Sequence, residues 1–432
     1  MVIDSRQSFM ATSAWQIVVF YFSSFVAFIV NAMFTYSLVI YTRHITQSDS
    51  LTGLVFLLIF GPFAFFSLVG GIAADRYSRK NIILIASTMT SVLVALMAFS
   101  FDAGYVTQSN YWLLGVFAIG YGTIVPFMAT ARIAMVGNVL RPEILGTGTI
   151  VMSIISVLGF GLGPLVAGFI KENASWPWLF GFNSAVWLLS GLGFMLITKI
   201  HPQQTSTETS HFEDFTEGLR FIYNHKLLLQ ICLFMVIVAI FILGPYQTLM
   251  PEFIKQTFNF GEKQRGAFMA IFGVGLLIGG VLSTVLRSHN QRDRFLIGST
   301  VLIGGSLALV PISSSYYPSL FFLFISGCLG GISNGLVSSI MQEESPDRVR
   351  GRVMSMYTFI LIGMPALGGL LFGILAESSS LAISIMCAGL MALAISFLLS
   401  LLSKQFDMNN HIQTAVNESN SSEGNSTAMN VD

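Results

Sequence analysis

The sequence contains few charged residues and few cysteines. Only 10% of its 432 residues are charged and 54% are hydrophobic, which is too apolar for an ordinary soluble domain. The formal net charge of zero argues against a nucleic-acid partner, because such proteins carry a basic surface. Cys232, Cys328 and Cys387 all lie inside apolar runs, so we expect no disulfide framework, no metal site and no redox role.

Catalytic signatures are also missing from the sequence. There are no paired carboxylates, no Ser-His-Asp order, no Walker loop and no metal-ligand spacing. Residues 1–13 are polar, and the first apolar run is too long for a signal peptide. We therefore expect neither an enzyme nor a cofactor, and a primary pump is disfavoured.

Long apolar runs dominate the rest of the chain. A helix needs about 20 apolar residues to cross a hydrocarbon core of roughly 30 Å. The runs predict an all-α membrane protein with twelve transmembrane helices. The predicted spans are 14–41, 51–74, 81–101, 111–137, 144–170, 177–199, 227–254, 266–286, 293–313, 317–341, 351–376 and 380–403.

The distribution of cations predicts the orientation in the membrane. Of the 21 Lys and Arg residues, five lie in loops on one side and Arg132 lies within a span, which leaves 15 on the other side. Cytoplasmic loops carry the excess of positive charge. We therefore expect a multi-pass protein of the cell membrane, a bacterial inner membrane, with both termini in the cytoplasm.

A polar stretch divides the spans into two sets of six. Within it, Phe212, Phe215, Leu219 and Ile222 recur at helical spacing, which predicts an amphipathic helix on the inner membrane surface. The tail after Lys404 lacks apolar periodicity, so we expect it to be disordered. The predicted segments are a cytoplasmic N-terminus (1–13), an N-terminal bundle (14–199), a linker (200–226), a C-terminal bundle (227–404) and the tail (405–432).

The two sets of spans resemble each other. Arg141-Pro142-Glu143 precedes the fifth span and Ser345-Pro346-Asp347 precedes the eleventh, and each is a strong helix start. The same offset of 204 residues relates Gly159 to Gly363. We interpret the chain as two parallel six-helix repeats.

The loop after the second span carries a distinctive motif, Gly71-Ile-Ala-Ala-Asp75-Arg76-Tyr77-Ser78-Arg79-Lys80. A carboxylate at the C-terminal end of a helix opposes the helix dipole, so Asp75 needs partners elsewhere. The stretch resembles the loop between helices 2 and 3 of the major facilitator superfamily, G-x-x-x-D-[RK]-x-G-x-[RK]-[RK]. The matching residues are Gly71, Asp75, Arg76, Arg79 and Lys80, whereas Ser78 and Asn81 depart from the pattern. The alternative is a basic turn flanking the membrane.

A second motif lies inside the fifth span. No strand precedes it, so the glycines of Gly159-Phe-Gly-Leu-Gly163-Pro164-Leu-Val-Ala-Gly168 do not form a nucleotide loop. The motif resembles the G-x-x-x-G-P-x-x-G-G pattern of exporters in the same superfamily, although Ala167 replaces one glycine. Close helix packing that says nothing about transport direction remains the alternative.

The resemblance implies a function. The linker segment Glu217-Gly-Leu-Arg-Phe-Ile-Tyr223 and the run from Gln342 to Arg352 are similar to the branch of drug:proton antiporters that includes enterobactin and macrolide exporters. Membership implies two pseudo-symmetric bundles and proton-driven efflux of an amphipathic siderophore, macrolide or drug-like molecule by a monomer. No Asp or Glu lies at mid-span in the first or fourth helix, where many antiporters carry one. An importer on the same fold and a non-transporting membrane sensor remain alternatives.

Two sets of residues are candidates for the site. Polar residues at mid-span are expected to line a substrate cavity, or else to form hydrogen bonds between helices. They are Ser24, Asn31, Thr35, Tyr121, Tyr246, Gln247, Asn334, Ser338 and Tyr357. A helix start attracts anions, and the resemblance places the start of the eleventh helix beside the end of the second, so Asp75 is expected to contact it and close the cytoplasmic side. Its possible partners are Arg79, Arg132, Ser345, Asp347, Arg350 and Arg352. For Arg132, two roles are equally open: a functional role toward the substrate or the proton, and a structural ion pair.

Overall fold

The computed structural model describes residues 14–198, 211–287, 292–313 and 315–403, and this part of the chain is almost entirely helical. Residues 1–13 and the tail 405–432 lie outside the described residues, as does most of the polar linker before residue 211. In chain order the helices are α1 (Ala14–Thr46), α2 (Asp49–Arg76), α3 (Arg79–Asp102), α4 (Trp112–Val139), α5 (Leu145–Asn173), α6 (Trp176–Leu192), α7 (His211–Asn224), α8 (Lys226–Val238), α9 (Gly244–Thr248), α10 (Met250–Phe258), α11 (Glu262–Leu286), α12 (Arg292–Leu309), α13 (Tyr316–Glu343), α14 (Asp347–Ser378) and α15 (Leu381–Ser403).

The membrane-spanning helices agree with the prediction from the sequence. In the described part of the chain, eleven spans are long and apolar enough to cross a membrane, and Arg294–Leu309 is a shorter apolar helix. Together they account for the twelve predicted spans and confirm the all-α membrane fold. The amphipathic segment after the linker is helical as well, in α7.

Three details differ from simple unbroken spans. The sixth span leaves the α-helix at Gly193, continues as a 3-10 turn, Gly193–Leu196, and is no longer helical at residues 197–198. The predicted end of this span, residue 199, lies outside the described residues. The seventh is divided into α8, a π-helical turn (Ala239–Leu243), α9 and α10. Pro245 lacks the amide donor that a continuous helix would use, which explains the irregularity beside Tyr246. A 3-10 turn, Pro142–Ile144, precedes α5.

Helices α1–α6 form one half of the molecule and α8–α15 form the other. Within the first half, α2 packs on α4, α3 on α6 and α1 on α5. Within the second half, α11 packs on α13 and α12 on α15. The halves meet along two helix pairs, α2 with α14 and α5 with α11. This arrangement has the two-fold character that the internal repeat predicts.

The molecule has two loop faces, which we name by their first loops. The α1–α2 face also carries the end of α5, the start of α11 and the end of α14. The α2–α3 face also carries the end of α4, the start of α5 and the start of α14. In the predicted orientation the first is external and the second is cytoplasmic. Helix α7 lies beside the α2–α3 face, because its Ile222 is buried in the same apolar cluster as Leu228 and Val353.

Candidate functional site

The two halves are packed tightly at the α1–α2 face. A Cβ added to Gly53 on α2 would lie 2.7 Å from the Leu370 Cα of α14. A Cβ added to Gly266 on α11 would lie 3.0 Å from the Pro164 carbonyl carbon of α5. Only glycine permits backbones to approach this closely. The apolar core also crosses the seam here, because Tyr36 of the first half belongs to a cluster of the second.

The interface is looser toward the α2–α3 face. At Gly71 on α2 and Gly351 on α14, an added Cβ would meet no atom of the described chain within 4 Å. The same is true of Gly137 at the end of α4 and Gly146 at the start of α5. Gly71 of the basic motif is therefore not in close contact with another helix in this conformation. The structure is closed at one face of the seam and looser at the other.

The residues of the basic motif bind mainly within the first half. The Arg79 guanidinium donates to the Ala134 carbonyl at 2.7 Å and to Asn138 Oδ1 at 2.6 Å, and it lies 3.6 Å from the Asp75 carboxylate. Lys80 donates to the carbonyl of Ile197 at 2.8 Å. Arg79 thus joins the end of α2 to α4. The contact of Asp75 with the start of α14 stays a prediction.

The proposed partners of Asp75 lie at the start of α14 and beside it. Ser345 is buried and donates to the Met341 carbonyl at 2.6 Å, and Arg350 donates to the Gln342 carbonyl at 3.0 Å. Arg352 forms an ion pair with Glu217 of α7. The Asp347 side chain lies outside the described residues.

The α7–α14 contact was not predicted from the sequence. A Cβ added to Gly218 would lie 3.2 Å from the Arg352 carbonyl carbon, so α7 packs directly on the backbone of α14. The glycine in the polar stretch of α7 was the signal for this contact.

Arg132 is buried inside the first half, with 1% of its surface exposed. Its guanidinium donates to the Ser23 carbonyl at 3.1 Å and to Ser190 Oγ at 2.9 Å, and it lies 4.6 Å from the centre of the Phe194 ring. No carboxylate of the described chain forms an ion pair with it, and its Nε has no hydrogen-bond partner there. The ion pair with Asp75 that we considered is therefore not formed in this conformation.

Four of the predicted cavity residues have their polar atoms occupied in the interior. Ser24 and Thr35 donate to carbonyls one turn earlier in α1, and Tyr246 donates to the Met269 carbonyl at 2.7 Å. Tyr121 is buried and donates to Asn31 Oδ1 at 2.9 Å. The bonds of Ser24 and Thr35 stay within α1, whereas those of Tyr121 and Tyr246 join two helices. These four side chains therefore offer little to a ligand.

The other five cavity residues are half-buried. Tyr357 donates to Asn334 Oδ1 at 2.8 Å, and Ser338 accepts a bond from Gln342 at 3.1 Å. Gln247 forms no hydrogen bond within the described chain. These five side chains therefore keep part of their surface exposed, unlike the four buried ones. They are Asn31, Gln247, Asn334, Ser338 and Tyr357.

The glycine motif of α5 packs on two different helices. A Cβ at Gly163 would lie 2.7 Å from the Met33 amide nitrogen of α1, and one at Gly159 would lie 2.9 Å from the Phe28 carbonyl carbon. A Cβ at Gly168 would lie 3.1 Å from the Glu262 carbonyl carbon of α11. The motif therefore joins α5 to its own half and to the other half.

A cluster of ionic residues at the α1–α2 face was not anticipated. Arg43 pairs with Asp49 at 2.8 Å, and Arg265 pairs with Glu262 and lies 3.9 Å from Glu252. The sequence placed the two arginines in outside loops and gave no indication that they border the seam between the halves.

Comparisons with known proteins identify the family. The profile of the Major Facilitator Superfamily matches residues 20–368. The multidrug efflux pump Tap of Mycobacterium tuberculosis is 24% identical over 387 residues, covering 82% of this chain and 87% of that protein. The enterobactin exporter EntS of Salmonella typhimurium is 24% identical over 332 residues, covering 76% and 78%.

Solved structures share the fold at low sequence identity. The nucleoside transporter NupG superposes with a TM-score of 0.69 at 14% identity, covering 90% of this chain and 99% of that one. A D-xylose-proton symporter gives 0.70 at 12% identity, covering 89% and 96%. A bacterial homologue of the lysosomal transporter Spinster, in an inward-facing and unoccupied conformation, gives 0.66 at 15% identity, covering 91% and 95%.

Proposed function

Because this chain belongs to the Major Facilitator Superfamily of membrane transporters, we propose that it exports an amphipathic small molecule in exchange for protons. The observation that carries the proposal is the neutral character of the half-buried polar groups, which we propose to lie between the halves. Asn31, Gln247 and Asn334 supply amides, and Tyr357 supplies a phenol. Such groups suit a siderophore, a macrolide or another drug-like molecule that binds chiefly through apolar and aromatic contacts.

Two observations favour export over import. Relatives matched over most of the chain are named for efflux, although importers share the fold. An importer of a sugar or an organic acid would be expected to carry more convergent polar or cationic groups at mid-membrane. Arg132 does not supply such a group, because its guanidinium is enclosed among α1, α4 and α6.

The observed conformation suits the loading step of an exporter. In the predicted orientation, the tight seam lies on the external side and the looser seam lies toward the cytoplasm. Alternating access would then close the α2–α3 face, bringing Asp75 to the start of α14, while the α1–α2 face opens. A monomer in the cell membrane is sufficient for this cycle.

Protons are the proposed driving ion. All Asp and Glu residues of the sequence lie at or near helix ends or outside the spans, so no mid-membrane carboxylate binds the proton. Arg132 is a candidate for a functional role, because a buried cation without a carboxylate partner is costly and is usually kept for function. Its guanidinium stays protonated, so it can influence the cycle through its charge and hydrogen bonds but does not itself carry the proton.

The test is accumulation of candidate compounds in cells that contain or lack the protein. Dyes, macrolides and catechol siderophores should be screened with and without a protonophore. We expect lower accumulation of at least one class, reversed by the protonophore. Higher accumulation would favour an importer, and no difference for any compound would favour a sensor.

Substitutions between the halves refine the test. Asn31→Ala and Gln247→Ala should change the range of exported compounds more than they reduce export overall, because apolar contacts supply most of the affinity. Ser24→Ala is the matched control, since Ser24 is buried and bonded to its own helix. Equal loss of every substrate at normal protein levels would contradict the proposed binding mode.

A further inference from the structure

A carboxylate of the second half lies on the start of a helix of the first half. Glu377, in the last turn of α14, accepts hydrogen bonds from Ser48 Oγ at 3.0 and 3.1 Å and from the Ser50 amide at 3.2 Å. Ser48 and Ser50 flank Asp49, the first residue of α2. One turn before Glu377, a Cβ at Gly373 would lie 2.5 Å from the Asp49 carbonyl oxygen.

The same arrangement occurs a second time with the halves exchanged. Glu172, in the last turn of α5, accepts a hydrogen bond from the Lys263 amide at 3.2 Å. Lys263 is the second residue of α11. One turn before Glu172, Gly168 packs on the backbone of Glu262, the first residue of α11.

The two contacts are related by the internal repeat of the chain. Gly168 and Glu172 precede Gly373 and Glu377 by the same 205 residues, within one residue of the offset that relates the starts of the two spans. The receiving helices are α2 and α11, whose starts contact these glutamates. On them, Asp49 and Gly53 precede Glu262 and Gly266 by the same 213 residues. Each contact is therefore one Gly-x-x-x-Glu segment on the start of a helix in the other half.

Helix starts leave amide donors without intrahelical partners and carry a partial positive charge, so a carboxylate placed there is stabilised. These two carboxylates come from the opposite half. They reach the amides only while the α1–α2 face is closed, and separation of the halves would return both groups to water.

We propose that Glu172 and Glu377 are positioning residues of the transport cycle, which cap the starts of α11 and α2 across the seam and so hold the α1–α2 face closed. We call the two contacts cross-half caps. The proposal rests on the alternating-access part of the proposed function and needs neither its direction nor its substrate. Because Glu377 accepts more hydrogen bonds than Glu172, its cap is the stronger of the two.

The test measures closure of the seam directly. Ser37 is 2% exposed, its hydroxyl has no hydrogen-bond partner in the described chain, and it lies at the seam beside Gly168 and Glu262. Ser37→Cys, in a protein whose three native cysteines are replaced by alanine, gives a thiol that reacts when this face opens. Its labelling rate is measured on purified protein with a polar maleimide.

We expect Glu377→Gln and Glu172→Gln each to raise the labelling rate by roughly two- to fivefold, the effect of one charge near an exposed helix start. Glu377→Gln should have the larger effect, Glu377→Lys should exceed it, and the double Gln variant should approach the product of the single effects. Asp102→Asn is the matched control, because Asp102 is an exposed carboxylate on the same face, at the end of α3.

Labelling of the Glu variants at the rate of Asp102→Asn would overturn the proposal. A second measurement does not depend on side-chain charge: cysteines at Ser48 and Glu377, joined by a short bifunctional thiol reagent, should keep the Ser37→Cys thiol unreactive. Continued labelling of the cross-linked protein would also overturn it. Both readouts are independent of substrate, so they stand even if the proposed export activity is not found.

Discussion

Gly53→Ala should destabilise the observed conformation without unfolding the protein. The added carbon would lie 2.7 Å from Leu370 Cα and 2.8 Å from the Gly369 carbonyl carbon, whereas ordinary contacts begin near 3.4 Å. Because both obstacles are backbone atoms, α2 and α14 must move apart by about 0.7 Å or more. Overpacking of this kind costs about 1–3 kcal/mol.

The cost applies only to the state in which the α1–α2 face is closed. At about 1.4 kcal/mol per tenfold change, the equilibrium should shift toward the opposite conformation by roughly five- to 150-fold. Gly181→Ala on α6 is the matched control, because its added carbon meets no described atom and α6 does not belong to the helix pairs at the seam. Both substitutions gain the same intrinsic helix propensity.

Distances between spin labels can report this shift. Tyr105 precedes α4 and Tyr317 begins α13, on opposite halves of the same face, and both are exposed, at 59% and 79%. Labelled cysteines at these positions should show a longer distance in Gly53→Ala than in Gly181→Ala. An unchanged distance distribution would refute the reasoning from glycine packing.

Three further predictions concern charged residues. Arg132→Met should leave the thermal midpoint of unfolding in detergent unchanged or raise it, because removing a buried unpaired charge is often neutral or stabilising. The same substitution should reduce transport. A large fall in the midpoint would indicate a structural role instead. Asp75→Asn should shift the equilibrium toward opening of the α2–α3 face by roughly ten- to hundredfold, because it removes a charge-assisted bond of about 1.5–3 kcal/mol. Unchanged thiol labelling from the cytoplasmic side would contradict this. Glu217→Gln removes the ion pair with Arg352, so hydrogen exchange of the α7 backbone amides should become faster. Equal protection of these amides would show that apolar packing alone holds this helix.

The features that could be predicted from the sequence are those encoded locally. Apolar run length set the spans, and Pro245 marked the irregular seventh span, because a missing amide donor acts at its own position. Close packing of the α5 glycines was also foreseen, since small residues at helical spacing permit it whichever neighbour they meet.

Contacts between distant segments could not be predicted from the sequence in the same way. Glu377 and Ser48 are 329 residues apart, and nothing in either stretch indicates the other. The enclosure of Arg132 by Ser23 and Ser190 likewise depends on how three helices assemble. Tyr121 and Tyr246 are of a residue type that is expected in a substrate cavity, but both side chains are buried in the interior. The sequence does not determine how each helix is rotated about its axis.

The repeated seam also bears on the symmetry of the interface between the halves. Each half carries one Gly-x-x-x-Glu segment and one receiving helix start, so each half has both surfaces of the interface. A surface that contains both members of a contact can pair with a copy of itself about a two-fold axis. The two halves of this chain therefore meet as two subunits of a symmetric homodimer would, within one polypeptide. The residue before each contacted helix is not the same, because Ser48 precedes α2 and Gly261 precedes α11.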